Sequence, residues 1–206
     1  MRNLALFSLL TLGSGLMAQP PAVNEQAFIR MARTIQREIL TLPDYGVFDH
    51  IRFGMKADGT VILRGQASRP ILKSSAARVV ERVEGVTKVD NLIEVLPLSP
   101  MDDQIRFRTY VAVYGHPTLV RYNPNRGTPL FMSRLSLATG ITNNPPPGNH
   151  PVHIVVKNGN VTLEGVLLNA GDRTIAELQA NGVSGVFSVT NNIEVEDAKK
   201  IKAPKK

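Results

Sequence analysis

The chain has 206 residues, and its 24 lysine and arginine residues against 17 acidic residues give a net charge of +7. It contains no cysteine, which excludes disulfides, thiolate metal sites, a cysteine nucleophile and the lipid anchor that lipoproteins carry on a cysteine. The length is sufficient for two small domains.

The N-terminal segment has the pattern of a secretory signal peptide. A positive start at Arg2 precedes an apolar run over residues 4–12, and the segment ends on the small residue Ala18. The run is shorter than the roughly 20 residues that a membrane-spanning helix needs. A buried N-terminal helix is the weaker alternative, because no other segment is so densely apolar.

We therefore expect residues 1–18 to be a signal peptide that is cleaved after Ala18. The exported remainder is expected in the periplasm, either soluble or peripherally associated with a membrane. Because the chain has no cysteine, we do not expect a lipoprotein.

Residues 59–95 and 159–195 are two copies of one sequence. They align without a gap at an offset of 100, and 13 of the 37 aligned positions are identical. A repeat of this length indicates two copies of a small domain rather than a solenoid of short units.

Each copy begins with a predicted β-hairpin. Apolar and polar residues alternate on both sides of Asp58-Gly59 in the first copy and of Asn158-Gly159 in the second. Such alternation around Asp-Gly or Asn-Gly is the strongest short-range signal for a hairpin. The strands are predicted over residues 51–55 and 61–64, and over residues 152–156 and 161–164.

A helix and a last strand follow each hairpin. Pro70 suits the first turn of a helix in the first copy, and Gly85 and Gly185 end the two helices. The last strands are predicted over residues 89–95 and 189–195. Because a helix joins the last strand to the second one, these two strands should be parallel neighbours.

A further helix precedes each hairpin. Apolar residues recur at helical spacing between Asn24 and Leu40, and again between Asp102 and Gly115. Asp102 suits the positive end of its helix. The predicted unit is therefore α-β-β-α-β, an α+β fold with a three-stranded mixed sheet and both helices on one face.

Six glycines occupy matching places in the two copies, and we interpret them as structural. A residue without Cβ permits the turns and close backbone approaches that end these strands and helices. They are Gly59, Gly65, Gly85, Gly159, Gly165 and Gly185.

The two copies resemble the BON domain. The shared pattern is Asn-Gly-x-Val-x-Leu-x-Gly, then a helix, then Gly-Val-x-x-Val-x-Asn-x-Ile-x-Val, and residues 157–165 with 183–195 match it best. The resemblance implies BON-like domains over residues 25–97 and 101–197. The second domain differs from typical copies by a long insertion over residues 115–150.

The resemblance implies binding rather than catalysis. BON domains are found in exported bacterial envelope proteins, and no catalytic residues or cofactors come with the family. We expect a non-enzymatic protein that attaches peripherally to anionic phospholipid and supports envelope integrity. The alternative is a periplasmic adaptor that binds an envelope protein or a cell-wall polymer and never touches lipid. Neither interpretation involves a nucleic acid or a small-molecule substrate.

One candidate lipid-binding surface lies on the helix that begins at Asp102. Arg106, Arg108 and Tyr110 lie on this helix, and aromatic rings beside guanidinium groups suit the headgroup region of a bilayer. The helix is apolar on more than one side, so coverage of this surface by residues 115–150 is an equally good interpretation.

A second candidate is the basic C-terminal tail. Residues 198–206 are rich in lysine and have no periodic apolar face, so we expect them to be disordered. Lys199, Lys200 and Lys202 would attract an anionic surface. A role in solubility alone is equally open.

The histidines do not predict a metal site. The spacing of His150 and His153 is compatible with metal binding, but no acid or cysteine lies nearby in the sequence. His50 and His116 stand alone. We therefore expect neither a metal nor a catalytic centre.

Overall fold

The computed structural model describes residues 25–125, 141–143 and 145–196. The predicted signal peptide over residues 1–18 and the predicted tail over residues 198–206 lie outside the described residues. No helix in the described part of the chain combines the length and the apolar character needed to cross a bilayer.

The first domain has the predicted order of elements. Its helices are α1 (Glu25–Leu40) and α2 (Pro70–Glu81), and β1 (His50–Met55) runs antiparallel to β2 (Thr60–Ala67). The last strand, predicted as continuous over residues 89–95, is interrupted at Leu92 and Ile93. Its two pieces, β3 (Lys88–Asn91) and β4 (Glu94–Val95), both run parallel to β2.

The second domain repeats this architecture. Its helices are α3 (Pro100–Tyr114) and α4 (Ala170–Asn181), and a short 3-10 helix (Val120–Tyr122) follows α3. In its sheet, β5 (Val152–Lys157) is antiparallel to β6 (Asn160–Leu167), and β6 is parallel to β7 (Ser188–Val195). The two similar units, each with a mixed sheet and two helices, confirm the predicted α+β class.

The alternation of apolar residues places one face of each sheet in a core. Val61 and Leu63 are fully buried under the helices of the first domain, and Val161 and Leu163 occupy the same positions in the second. The strands are predicted from the alternation of these apolar residues with polar ones. Alternate residues of a strand point to the same face, so both members of each pair enter the core.

Helix α3 is buried on more than one side. Ile105 and Val113 pack in the core of the second domain together with Tyr110 and Tyr114. Leu119, which follows α3 within the predicted insertion, belongs to the same core. Residues of the insertion therefore cover α3, as one of the two sequence interpretations had it.

The two domains share a core at their junction. Val47 and Phe48 precede β1 of the first domain, yet both are buried in the core of the second. The Phe48 ring meets the Tyr110 ring edge-on, with 6.4 Å between centroids. The Ile154 amide donates to the Val47 carbonyl oxygen at 2.7 Å, which caps part of the otherwise open edge of β5.

Candidate functional site

One end of the second domain is organised by a buried carboxylate. Asp102, in the first turn of α3, accepts hydrogen bonds from the amides of Asn158 and Gly159 at 2.9 and 2.8 Å. Both turn residues have left-handed backbone angles, with φ of 51° and 75°. Asp102 therefore ties the start of α3 to the β5–β6 turn. We call this end of the domain the domain 2 tip, defined by Met101, Asp102, Asn158, Gly159 and residues 184–187.

Two large apolar side chains project from the domain 2 tip. Phe187 lies over the turn, where its ring would be 2.5 Å from a Cβ on Gly159, and it is 82% exposed. Met101, adjacent to the buried Asp102, is 65% exposed. Exposed apolar residues are common singly, but two at one end of a domain mark a candidate contact surface.

Two basic side chains, those of Arg108 and Lys157, lie near these apolar side chains. Arg108 is exposed, and its Nη1 donates to the carbonyl oxygen of Ser184 at 3.2 Å. Lys157 directly precedes the turn and pairs with Glu94 of the first domain at 2.5 Å. The exposed apolar side chains of the domain 2 tip thus have the basic side chains of Arg108 and Lys157 next to them.

The first domain has a polar residue at the position of Phe187. Thr87 takes the place of Phe187, and its hydroxyl donates to the carbonyl oxygen of Asp58 at 2.9 Å. The backbone arrangement is the same, since Thr87 and Phe187 each donate their amide to the glycine of the turn. The two ends therefore have the same backbone arrangement at this turn, and they differ in the side chain at this position.

The structure separates the three residues predicted on α3. Arg106 is only 2% exposed, with Nη1 at 2.6 Å from an Asp103 carboxylate oxygen and Nη2 donating to the Val156 carbonyl oxygen at 2.8 Å. Tyr110 is also buried. Arg108 is therefore the member of the predicted set that the described structure places on the surface. Lys199, Lys200 and Lys202 lie outside the described residues.

Sequence reasoning did not single out Phe187. A signal for it exists, because the two copies read Gly-Val-Thr at residues 85–87 and Gly-Val-Phe at residues 185–187. An apolar residue in one copy, at a position that is polar and exposed in the other, points to a specific role for the former.

The six glycines of the repeat all have positive φ, between 75° and 133°. Gly65 and Gly165 are the most constrained by close approach. A Cβ on Gly65 would lie 2.0 Å from the carbonyl oxygen of His50, and a Cβ on Gly165 would lie 2.0 Å from that of Pro151. In each case this is the residue before the strand partner of the glycine. These contacts explain why glycine recurs at this position of the second strand in both hairpins.

Histidines gather at the domain junction. His50 and His153 stack with 5.7 Å between ring centroids, and the Nδ1 of His50 lies 3.6 Å from a carboxylate oxygen of Glu164. Burial lowers the pKa of each imidazole to about 4. A cavity of about 590 Å³ opens beside the two rings.

His150 and His153 do not converge on a common point. His150 packs against the rings of Tyr110 and Tyr114, whereas a ring nitrogen of His153 lies 3.2 Å from the Gly46 carbonyl oxygen. Within residues 25–125, 141–143 and 145–196, no group of three or more His, Cys, Asp or Glu residues is arranged to hold a metal ion.

The family model for the BON domain matches residues 48–97 and 136–197. The two matches cover more than half of the chain, one in each structural unit, and the chain belongs to the BON domain family. BON domains are generally non-enzymatic domains that bind membranes or proteins.

Two solved structures are similar to this chain. One is the C-terminal domain of CdsD, the structural protein of the type III secretion system of Chlamydia trachomatis, at 17% identity over 82% of this chain and 98% of that one. A second CdsD structure from the same organism has 15% identity over 85% and 100%. Both TM-scores are 0.27. No curated protein matches the chain.

Proposed function

We propose that this protein is an exported, non-enzymatic envelope protein that attaches peripherally to anionic phospholipid through the domain 2 tip and so supports envelope integrity. The observation that carries this proposal is Phe187, an aromatic side chain that is 82% exposed at the end of a domain. Membership of a family that binds membranes or proteins supports it.

The physical chemistry of the tip suits a bilayer interface. Transfer of a Phe side chain from water into an apolar environment is favourable by about 1.5–3 kcal/mol, and Met101 adds further apolar area. Arg108 would meet phosphate groups at the same depth. Each basic residue near an anionic surface contributes about 1 kcal/mol, and this contribution weakens with salt.

Flotation with vesicles tests the proposal. Wild-type protein is expected to float with vesicles that contain phosphatidylglycerol, and much less with pure phosphatidylcholine. Phe187→Thr gives the second tip the residue of the first, so it should reduce the affinity roughly 10- to 100-fold, the equivalent of losing one buried Phe. Arg108→Glu should reduce binding to the anionic vesicles and make it less sensitive to salt.

The second domain supplies a matched control. Leu168 is a 56% exposed apolar residue beyond the far end of β6, about 25 Å from the tip at roughly 3.3 Å per strand residue. Leu168→Thr should therefore float as wild type does. If wild type does not float, or if Phe187→Thr floats equally well, the adaptor alternative becomes the better interpretation.

A further inference from the structure

Two imidazoles from different domains lie against each other at the junction, and both are largely buried. His50 lies on β1 and His153 on β5, and their rings stack at an interplanar angle of 27°. His153 is 8% exposed, and the His50 side chain is 15% exposed. Any charge on this pair would have to be balanced inside the junction, because burial disfavours an uncompensated charge.

Groups that face the pair come from each element packed at the junction. They are Glu164 on β6, Arg52 and Asp49 on either side of His50, Tyr45 ahead of them, and His150 ahead of β5. Glu164 can balance one imidazolium. Arg52 opposes a charge on His50.

The Asp49 carboxylate is held within the first domain. One of its oxygens accepts from the Ser68 amide and hydroxyl at 2.6 and 2.7 Å, and the other accepts from the Gly46 amide at 3.0 Å. Burial raises the pKa of Asp49. Protonation of Asp49 in acid therefore changes the stability of the first domain. It does not change the balance between a closed and an open junction.

We propose that the junction between the two domains is an acid-sensitive contact, which loosens around the histidine pair on acidification while the central strands of both domains stay folded. The reason is that His50 and His153 cannot both carry a proton while they remain stacked and buried, because the nearby Glu164 carboxylate can balance only one of the two charges. The junction is closed at neutral pH, where both imidazoles are uncharged.

The direction of the effect follows from linkage. In the closed junction burial lowers the pKa of both histidines to about 4, from the ordinary value of 6.5, and in an open junction the rings regain water. The stabilisation of the closed form is therefore complete above about pH 6.5 and is lost as the pH falls towards about 4. Between pH 6.5 and 4.5 each histidine should raise the opening constant roughly 10- to 100-fold.

The amide of Ile154 reports directly on the junction. It donates across the junction to Val47, so its hydrogen exchange requires opening there, whereas amides in the centres of β2 and β6 report on the domains themselves. In the full chain, exchange followed by NMR and corrected for intrinsic rates should show Ile154 losing more than tenfold protection between pH 7 and pH 4.5. Amides of β2 and β6 should stay protected.

Two substitutions separate the histidine pair from general acid effects. His50→Phe keeps a stacking ring without a titratable group, and the His50 Nδ1 has no hydrogen-bond partner among the described residues. At pH 4.5 this variant should lose less Ile154 protection than the wild type, by the roughly 10- to 100-fold share that His50 contributes, and should keep the share of His153. His50→Gln serves the same purpose if the phenylalanine perturbs the fold. His150 lies in the ring cluster of the second domain, and burial lowers its pKa to about 4 as well. His150→Phe should therefore leave the share of the acid response that belongs to His50 and His153 in place.

Three results would overturn the proposal. One is an Ile154 amide that stays fully protected at pH 4.5 in the wild type. Another is loss of Ile154 protection together with the amides of β2 and β6, which would mean global unfolding. The third is an acid response in His50→Phe and His50→Gln that equals that of the wild type.

Discussion

Gly165→Ala is expected to destabilise the second domain by more than about 4 kcal/mol, a loss large enough to leave it largely unfolded. Gly165 has φ of 133°, and a Cβ there would lie 2.0 Å from the Pro151 carbonyl oxygen. An L-residue can relieve this contact only if β5 and β6 move apart at that point, which breaks the hairpin. Urea unfolding followed by circular dichroism measures the loss.

Gly54→Ala is the matched control for this substitution. Gly54 also lies in a hairpin strand, but a Cβ there meets nothing within 4 Å. Its replacement should change the free energy of unfolding by no more than about 1 kcal/mol. A Gly165→Ala protein as stable as Gly54→Ala would contradict the steric account of the repeated glycine.

Phe48→Ala is expected to lower the free energy of unfolding by about 3–5 kcal/mol, the usual range for removing a buried Phe. The informative part of this prediction is where the loss occurs. Phe48 belongs to the chain of the first domain but to the core of the second, so the amides of β5 and β6 should lose protection against hydrogen exchange. Urea unfolding gives the total, and hydrogen exchange gives the location.

Phe53→Ala is the comparison for this variant. Phe53 lies on β1 and packs, partly buried, against the core of the first domain. Its truncation should cost less and should affect the amides of β2 rather than those of β6. If Phe48→Ala weakened only the first domain, or cost under about 1 kcal/mol, the shared core at the junction would not contribute as described.

The hairpins and their order could be predicted from the sequence, because the signals are local. Alternation at Val61 and Leu63, repeated at Val161 and Leu163, fixes which side chains enter each core. A single strand register satisfies this alternation, since a shift of one residue would turn the apolar side chains towards water.

The positions of Arg106 and Phe48 could not be predicted in the same way. Arg106 is held inside the second domain by Val156, 50 residues away, and nothing in the pattern of α3 indicates that partner. Phe48 stands in a short connection, where an isolated apolar residue carries no periodicity. Both outcomes depend on contacts between distant segments, which local patterns do not encode.

The pairing of Val47 with Ile154 also bears on how the gene can change. A second copy moved alone to another protein would leave behind Val47 and Phe48, and it would carry an uncapped strand edge and a hollow in its core. Each repeat still matches the family by itself, yet the second packs on Val47 and Phe48, which the chain of the first supplies. Shuffling of this second copy as a free-standing module therefore requires that residues 47–48 travel with it or be replaced by the new host.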